Sequence, residues 1–361
     1  MSTLYYNGTI YTMAAPMDTV EAVLIHNGTV EKTGRYEDLK AAADEFIDLN
    51  GKTMMPALTD VHQHLVMIGK KLELLALDDV TDIGEMKKQV KAFKTKRTWN
   101  NILGYDENNF ENQYKINIKE LDELTDKPTL ITRICAHAGV VNSAAFDALN
   151  ITKETENPEG GYFERDDNGE LTGWVYDKAF EEMRAATVED TTESLGEDIA
   201  RGVKYLQSLG IANAHTEDLA YYGDFNVPLD AYLNTLGKDK LKFRVNLLTH
   251  EQVYENVVQA NKTYKENFVE RDAMKIFADG AFGAKTALVS EPYADSTDKG
   301  LQIHTVEKLE QLVQTARANN DAVAVHMIGD RAIEMVLDAI EKYPVPNGKH
   351  DRLIHISLLR P

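Results

Sequence analysis

A chain of 361 residues with 43% hydrophobic and 27% charged residues has the composition of a folded globular protein, not of a disordered one. It is long enough for one large α/β domain and a smaller appendage. Its 39 basic and 59 acidic residues give a formal net charge of −20, which repels phosphate backbones and argues against a nucleic-acid partner.

Residues 3 to 55 are expected to form short strands with tight turns. Leu4 to Tyr6, Thr9 to Thr12, Ala22 to Ile25 and Thr29 to Thr33 are rich in β-branched and aromatic residues. Asn7-Gly8 and Asn27-Gly28 between them read as hairpin turns. A helix over Tyr36 to Glu45 and a strand–turn–strand through Asn50-Gly51 complete this small β region. The opening residues lack the basic start and apolar run of a secretion signal, and no apolar stretch approaches the roughly 20 residues that cross a bilayer. A cytoplasmic protein with no membrane partner is expected, and the Asn-x-Thr triplets at Asn7, Asn27, Asn150 and Asn261 read as chance.

At Pro56 the pattern changes to alternating strands and helices. Ile211 to His215, Phe243 to Thr249, Met274 to Ala278, Ala322 to His326 and Leu353 to His355 are short apolar strands. Between them, Ile199, Val203, Leu206 and Leu209 share one helical face. So do Val306, Leu309, Leu312, Val313 and Ala316, and then Ile333, Val336, Leu337 and Ile340. Such alternation predicts parallel βα units, best as a (β/α) barrel and second as a doubly wound sheet. No glycine-rich phosphate loop follows any strand. Residues 66 to 198 interrupt the rhythm as a long insertion, with a hairpin turn at Asp166-Asp167-Asn168-Gly169. The single cysteine, Cys135, excludes an internal disulfide and a thiolate metal cage. The apolar run before it predicts a strand and a buried structural thiol.

His62 and His64 end the first of these strands. Residues two apart in a strand face one side, so both can reach one ion where barrel active sites form. Alone, a His-x-His is more often surface or core. His326 and His355, each at the end of an apolar strand, make four histidines on three strand ends. Lys275 lies where its strand should be buried, which is costly unless the amine is paired or modified. A snorkelling side chain, an ion pair with Asp279 and a carbamate formed with carbon dioxide are the alternatives.

Pro56-Ala57-Leu58-Thr59-Asp60-Val61-His62-Gln63-His64 resembles the strand 1 metal motif of the amidohydrolase superfamily, in its amidohydrolase family 3 branch. Residues 275 to 287, 325 to 332 and 352 to 361 resemble that family's strand 4, 5 and 6 blocks, and residues 137 to 143 with Gly160-Gly161 match inside the insertion. The resemblance implies a metal-dependent hydrolase on a (β/α)8 TIM-type barrel, with residues 1–55 as the N-terminal part of a β-sandwich and 56–361 as the barrel domain. It implies His62, His64, His326 and His355 as metal ligands and Lys275 as a carbamylated bridge, holding one or two divalent ions expected to be zinc. Asp106, His137 and His215 would be substrate-side contacts, with a structural role the alternative for each. Asp279 and Asp330 would orient ligands, with helix capping the alternative.

The family carries a strand 8 aspartate as general base, and no remaining carboxylate here sits in a matching block. The expectation is a barrel of strands 1–6 with its catalytic base unassigned, and exposed strand edges that favour self-association into a homo-oligomer. Metal-activated water would hydrolyse a non-peptide C–N bond in a small amide, formamide or cyclic amide. An inactive fragment of such an enzyme, and an esterase or phosphotriesterase using the same ligands, are the rival readings.

Overall fold

The computed structural model describes residues 1–260, 268–294, 296–346 and 348–360. The triplet at Asn261, and Pro361 at the end of the strand 6 block, lie outside the described residues. The chain falls into two units, Met1–Asp60 with Ser208–Asn213, and Val61–Gln207 with Ala214–Pro361.

The first unit holds a sheet of β1 (Ser2–Tyr11), β2 (Thr19–His26), β3 (Thr29–Gly34), β4 (Glu45–Asp48) and β5 (Thr53–Met54). Its order is β3-β2-β1-β4, with β5 also on β1. Asn27-Gly28 makes the β2–β3 hairpin turn, both residues having positive φ. Asn7-Gly8 does not form a hairpin. It sits inside β1 as an irregularity between Tyr6 and Ile10, where pairing passes from β4 to β5. The left-handed Asn7 that suits a hairpin also suits a bulge. Gly8 is required there, since a Cβ would collide with the Lys52 carbonyl oxygen. The helix expected to Glu45 is a single turn, α1 (Tyr36–Leu39), with a 3-10 turn over Lys40–Ala42. Only Leu39 of it is buried, so no apolar face pays for extending the helix.

After β6 (Leu58–Gln63) and α2 (Leu65–Glu73) comes a separate sheet of β7 (Leu75–Ala76), β8 (Asn100–Tyr105), β9 (Thr129–Arg133), β10 (Ala138–Val141), β11 (Gly161–Arg165) and β12 (Leu171–Asp177). Its order is β11-β12-β10-β9-β8-β7. The helices α3 (Ile83–Ala92), α4 (Ile118–Asp122), α5 (Ser143–Ala148) and α6 (Lys178–Ala186) accompany it. Asp166 to Gly169 turns the chain between the antiparallel β11 and β12, as expected. Cys135 is a correction. Strand β9 ends at Arg133, and Cys135 is exposed in the turn that follows.

The third sheet carries the candidate site. Helix α7 (Thr192–Ser208) leads to β13 (Ile211–Thr216), α8 (Asn226–Thr235), β14 (Arg244–His250), α9 (Glu251–Ala260), β15 (Val269–Phe277), α10 (Val306–Ala318), β16 (Ala322–Met327), α11 (Asp330–Lys342) and β17 (Arg352–His355). Among the described residues its order is β17-β16-β15-β14-β13-β6, following the chain like the staves of a barrel, and successive strands from β14 to β17 pair in parallel. Met274, Ile276, Val323, Val325 and Met327 pack against Leu309, Val313, Ile333 and Val336 of α10 and α11. Each such side chain stabilises the fold by about 1.5–3 kcal/mol relative to exposure. Three residues of the predicted helical faces, Leu209, Val306 and Leu337, are exposed instead. Leu209 lies beyond the end of α7 and Val306 is the first residue of α10, where the apolar stripe has no partner yet. Among the described residues no helix is long and apolar enough to cross a membrane.

Candidate active site at the strand ends

The ends of β6, β16 and β17 bring four histidines together. The His62 ring centroid is 5.8 Å from that of His64 and 5.5 Å from that of His355, and His355 is 4.8 Å from His326. Lys275 of β15 is fully buried, with Nζ 3.6 Å from the centre of the Phe277 ring, and Phe277 lies 5.1 Å from His326. Among the described residues Lys275 Nζ has no hydrogen-bond partner, and the ion pair with Asp279 does not form. His355 and Ile356 both have positive φ, strained for side chains of this size, at the point where β17 ends.

The electrostatics follow from burial. Desolvation, then Lys275 and the other histidines, push His62 down to about 4. Burial brings Lys275 down to about 8, offset in part by Glu217 and Glu251. His326 and His355 are also lowered, chiefly by burial. Neutral imidazoles and an amine that loses its proton near neutrality are the forms that bind metal or react with carbon dioxide.

Two of the imidazoles have fixed tautomers, because a carbonyl oxygen can only accept. His64 Nδ1 donates to the Glu217 carbonyl at 2.6 Å, and His326 Nε2 donates to the Gly280 carbonyl at 2.9 Å. His64 Nε2 and His326 Nδ1 therefore carry the lone pairs. Backbone carbonyls commonly orient ligating histidines in this way. Imidazoles sharing one zinc at about 2.0–2.1 Å have ring centroids roughly 5 Å apart, which the observed spacings bracket. Among the described residues no three His, Cys, Asp or Glu side chains stand in a ready metal-holding group. The fit to an ion thus lies in ring spacing, tautomers and the orphaned Lys275, not in a closed set of donor atoms.

The remaining predicted residues divide. Asp279 is buried and saturated by backbone: Oδ1 accepts from Ile328 N at 3.0 Å, and Oδ2 from Leu288 N at 2.9 Å and Gly329 N at 2.8 Å. Its Oδ1 is 3.6 Å from His326 Nε2, too long for a hydrogen bond, so it clamps the loops beneath that ring. Asp330, first residue of α11, holds Ser290 and pairs with Arg360. Asp106 caps a 3-10 turn by accepting from Asn108 N, and His137 is exposed in the turn before β10. Both belong to the insertion sheet, and no contact between them and the histidines is seen among the described residues. His215 lies in β13, two residues before Glu217.

Glu217, Tyr221 and His250 went unread in the sequence. Glu217 has a fully buried side chain. Its Oε2 accepts from Tyr221 OH at 2.8 Å and stands 3.8 Å from His64 Nδ1, while Oε1 has no hydrogen-bond partner among the described residues. Burial raises its pKa, against the pull of Tyr221, Lys275 and His64. The Tyr221 ring touches both His64 and His250, at 5.9 and 6.1 Å between centroids. His250 ends β14 as the other histidines end their strands, and the same signal would have found it. Glu217 follows a strand by one residue and had no pattern to announce it.

Known proteins resemble this chain along almost its whole length. The chain is 41% identical to YtcJ of Bacillus subtilis (strain 168), which carries the name of an amidohydrolase, over 99% of this chain and 69% of that one. It is 25% identical to the N-substituted formamide deformylase of Arthrobacter pascens, over 93% of this chain and 65% of that one. An uncharacterized metal-dependent hydrolase from Pyrococcus furiosus has the same fold, with a TM-score of 0.75 and 28% identity over 96% of this chain and 71% of that structure. The chain thus spans about two thirds of the length of these relatives. A model of the amidohydrolase family matches residues 45–361, and the chain belongs to that family.

Proposed function

We propose that this chain carries the metal-binding part of a hydrolase that cleaves C–N bonds other than peptide bonds in small amides. The observation that carries the reading is the ring-to-ring grouping of His62, His64, His326 and His355 beside a buried, unpartnered Lys275. These residues would hold one or two divalent ions, with zinc suited to the imidazole donors. An ion held there would supply Lewis-acid chemistry, lowering the pKa of a water and polarising a substrate carbonyl. The Glu217 and Gly280 carbonyls keep His64 and His326 in one tautomer each. Lys275, neutral in a useful fraction near pH 8, would add through its amine nitrogen to carbon dioxide and release one proton, giving a carbamate. The name of the formamide deformylase relative supports the C–N bond class. A (β/α) barrel, an N-terminal sheet that belongs to a β-sandwich, a cytoplasmic location and a homo-oligomer complete the proposal.

The test is metal analysis with a hydrolysis panel of N-acyl amides, formamides and esters. Stoichiometric zinc and amide turnover, both lost in His62→Ala, are expected. A protein that binds no zinc, or that cleaves only esters, would overturn the reading. Bicarbonate labelled with carbon-13 should give a carbamate signal that Lys275→Ala removes.

A further inference from the structure

A cavity of about 320 Å³ lies between α2, the start of β8, the end of α6 and the loop after β13. Its apolar wall includes Leu74, Phe93, Trp99, Val188, Tyr221 and Tyr222. Tyr221 is shared with the histidine group, since the same ring packs on His64 and donates its hydroxyl proton to Glu217. Four of the five charged side chains of the cavity are in ion pairs, and the fifth, the Glu189 carboxylate, accepts from Thr98 N at 2.9 Å. Lys70 is held by Asp190, and Arg97 is held by Glu73, Asp198 and the Glu189 carbonyl. One polar atom is not paired: Asn101 Oδ1 is buried and has no hydrogen-bond partner among the described residues, while its Nδ2 donates weakly to Thr187 Oγ1 at 3.3 Å.

Volume, lining and charge each constrain the occupant. Pockets for small organic molecules begin near 300 Å³ and combine apolar walls with a few placed polar groups. Lys70 and Arg97 are already paired, so an anion finds no cationic partner, and the acidic excess among the lining residues disfavours it further. A buried acceptor without a donor is costly until a ligand supplies one. We infer that this cavity binds the non-reacting end of a neutral substrate, with an aromatic or branched alkyl body on Trp99 and Tyr221 and one N–H or O–H donor on Asn101 Oδ1. Tyr221 then makes the wall between this subsite and the reacting centre, and sets how large the substituent can be. The link to turnover rests on the hydrolytic reading above; the binding site does not.

The probe pair is acetanilide, which is neutral and has one N–H, and N-methylacetanilide, which has none. Trp99 reports binding by fluorescence; the other tryptophan, Trp174, is buried in the insertion sheet against Tyr105 and is removed from the signal by a Trp99→Phe control. Acetanilide should quench Trp99 and bind about tenfold tighter than N-methylacetanilide. Asn101→Leu should abolish that difference. Val188→Phe, at an exposed rim position of the cavity, should block both compounds while zinc content stays at the wild-type level. No quenching of Trp99, or an unchanged preference in Asn101→Leu, would overturn the inference. Binding of acetanilide with no amide turnover by the zinc-loaded protein would keep the cavity and sink the hydrolytic reading instead.

Discussion

Replacing Glu217 with glutamine removes a charge at the heart of the site and keeps the shape of the side chain. Its Oε2 lies 3.8 Å from His64 Nδ1, on the ring edge whose N–H donates to the Glu217 carbonyl at 2.6 Å. A full charge at that distance, at an effective dielectric of about 20, interacts with a full opposite charge by about 4 kcal/mol. A neutral ligating imidazole carries only part of that charge, so a loss of about 1.4–2.7 kcal/mol is expected, or about 10–100-fold in metal affinity. Stability should move the other way. Burial raises the Glu217 pKa, so its contribution to folding is present below the ordinary carboxylate range and is lost as pH rises through the raised value. Above that raised value the metal-free protein carries the cost of an ionised buried group, and there Glu217→Gln should melt at or above the wild-type temperature. Zinc titration against a chromophoric chelator and melts in excess chelator measure both quantities. Zinc affinity within twofold of wild type, or a lower melting temperature for the metal-free variant, would refute the assignment of Glu217 as a positioning residue.

Further outcomes follow from the same geometry. Lys275 is lowered from 10.5 to about 8, so the metal-free protein should gain up to about 3 kcal/mol as pH rises between those values, where the unfolded amine holds more protons than the folded one. Urea unfolding in chelator should show this slope in wild type and lose it in Lys275→Met. His62→Ala should abolish stoichiometric zinc binding, measured by mass spectrometry of metals, whereas His137→Ala, at an exposed turn, should leave it intact. Gly329→Ala should cost at least about 2 kcal/mol in a urea melt, because the new Cβ collides with the Leu288 backbone carbonyl and disturbs the Gly329 N–H bond to Asp279.

What the sequence disclosed was what a single strand or helix encodes by itself. Alternating apolar strands and helices located β13 to β17, because each buries a continuous apolar run or one helical face. Local signals misled where two conformations share one signature. Asn7-Gly8 offers a left-handed residue, and only the neighbouring β4 and β5 decide that it bulges a strand instead of turning a hairpin. Cys135 follows an apolar run, but β9 stops at Arg133, whose guanidinium pairs with Glu107, and the chain turns out to solvent.

The site divides along the same line. His62, His64, His326 and His355 were legible because they mark the ends of three apolar strands, the first two sharing the end of β6, and parallel strands in chain order bring their ends together without further instruction. Asp279 was legible as a carboxylate near a ligand, yet its three backbone donors come from residues 288, 328 and 329, a closure no local pattern contains. That closure explains why an aspartate belongs there. Two carboxylate oxygens satisfy three N–H groups from two loops, whereas asparagine would present an NH2 to at least one of them and leave donor facing donor. The clamp also places the Gly280 carbonyl that fixes His326, so one buried side chain couples loop folding to the tautomer of a histidine it does not hydrogen-bond.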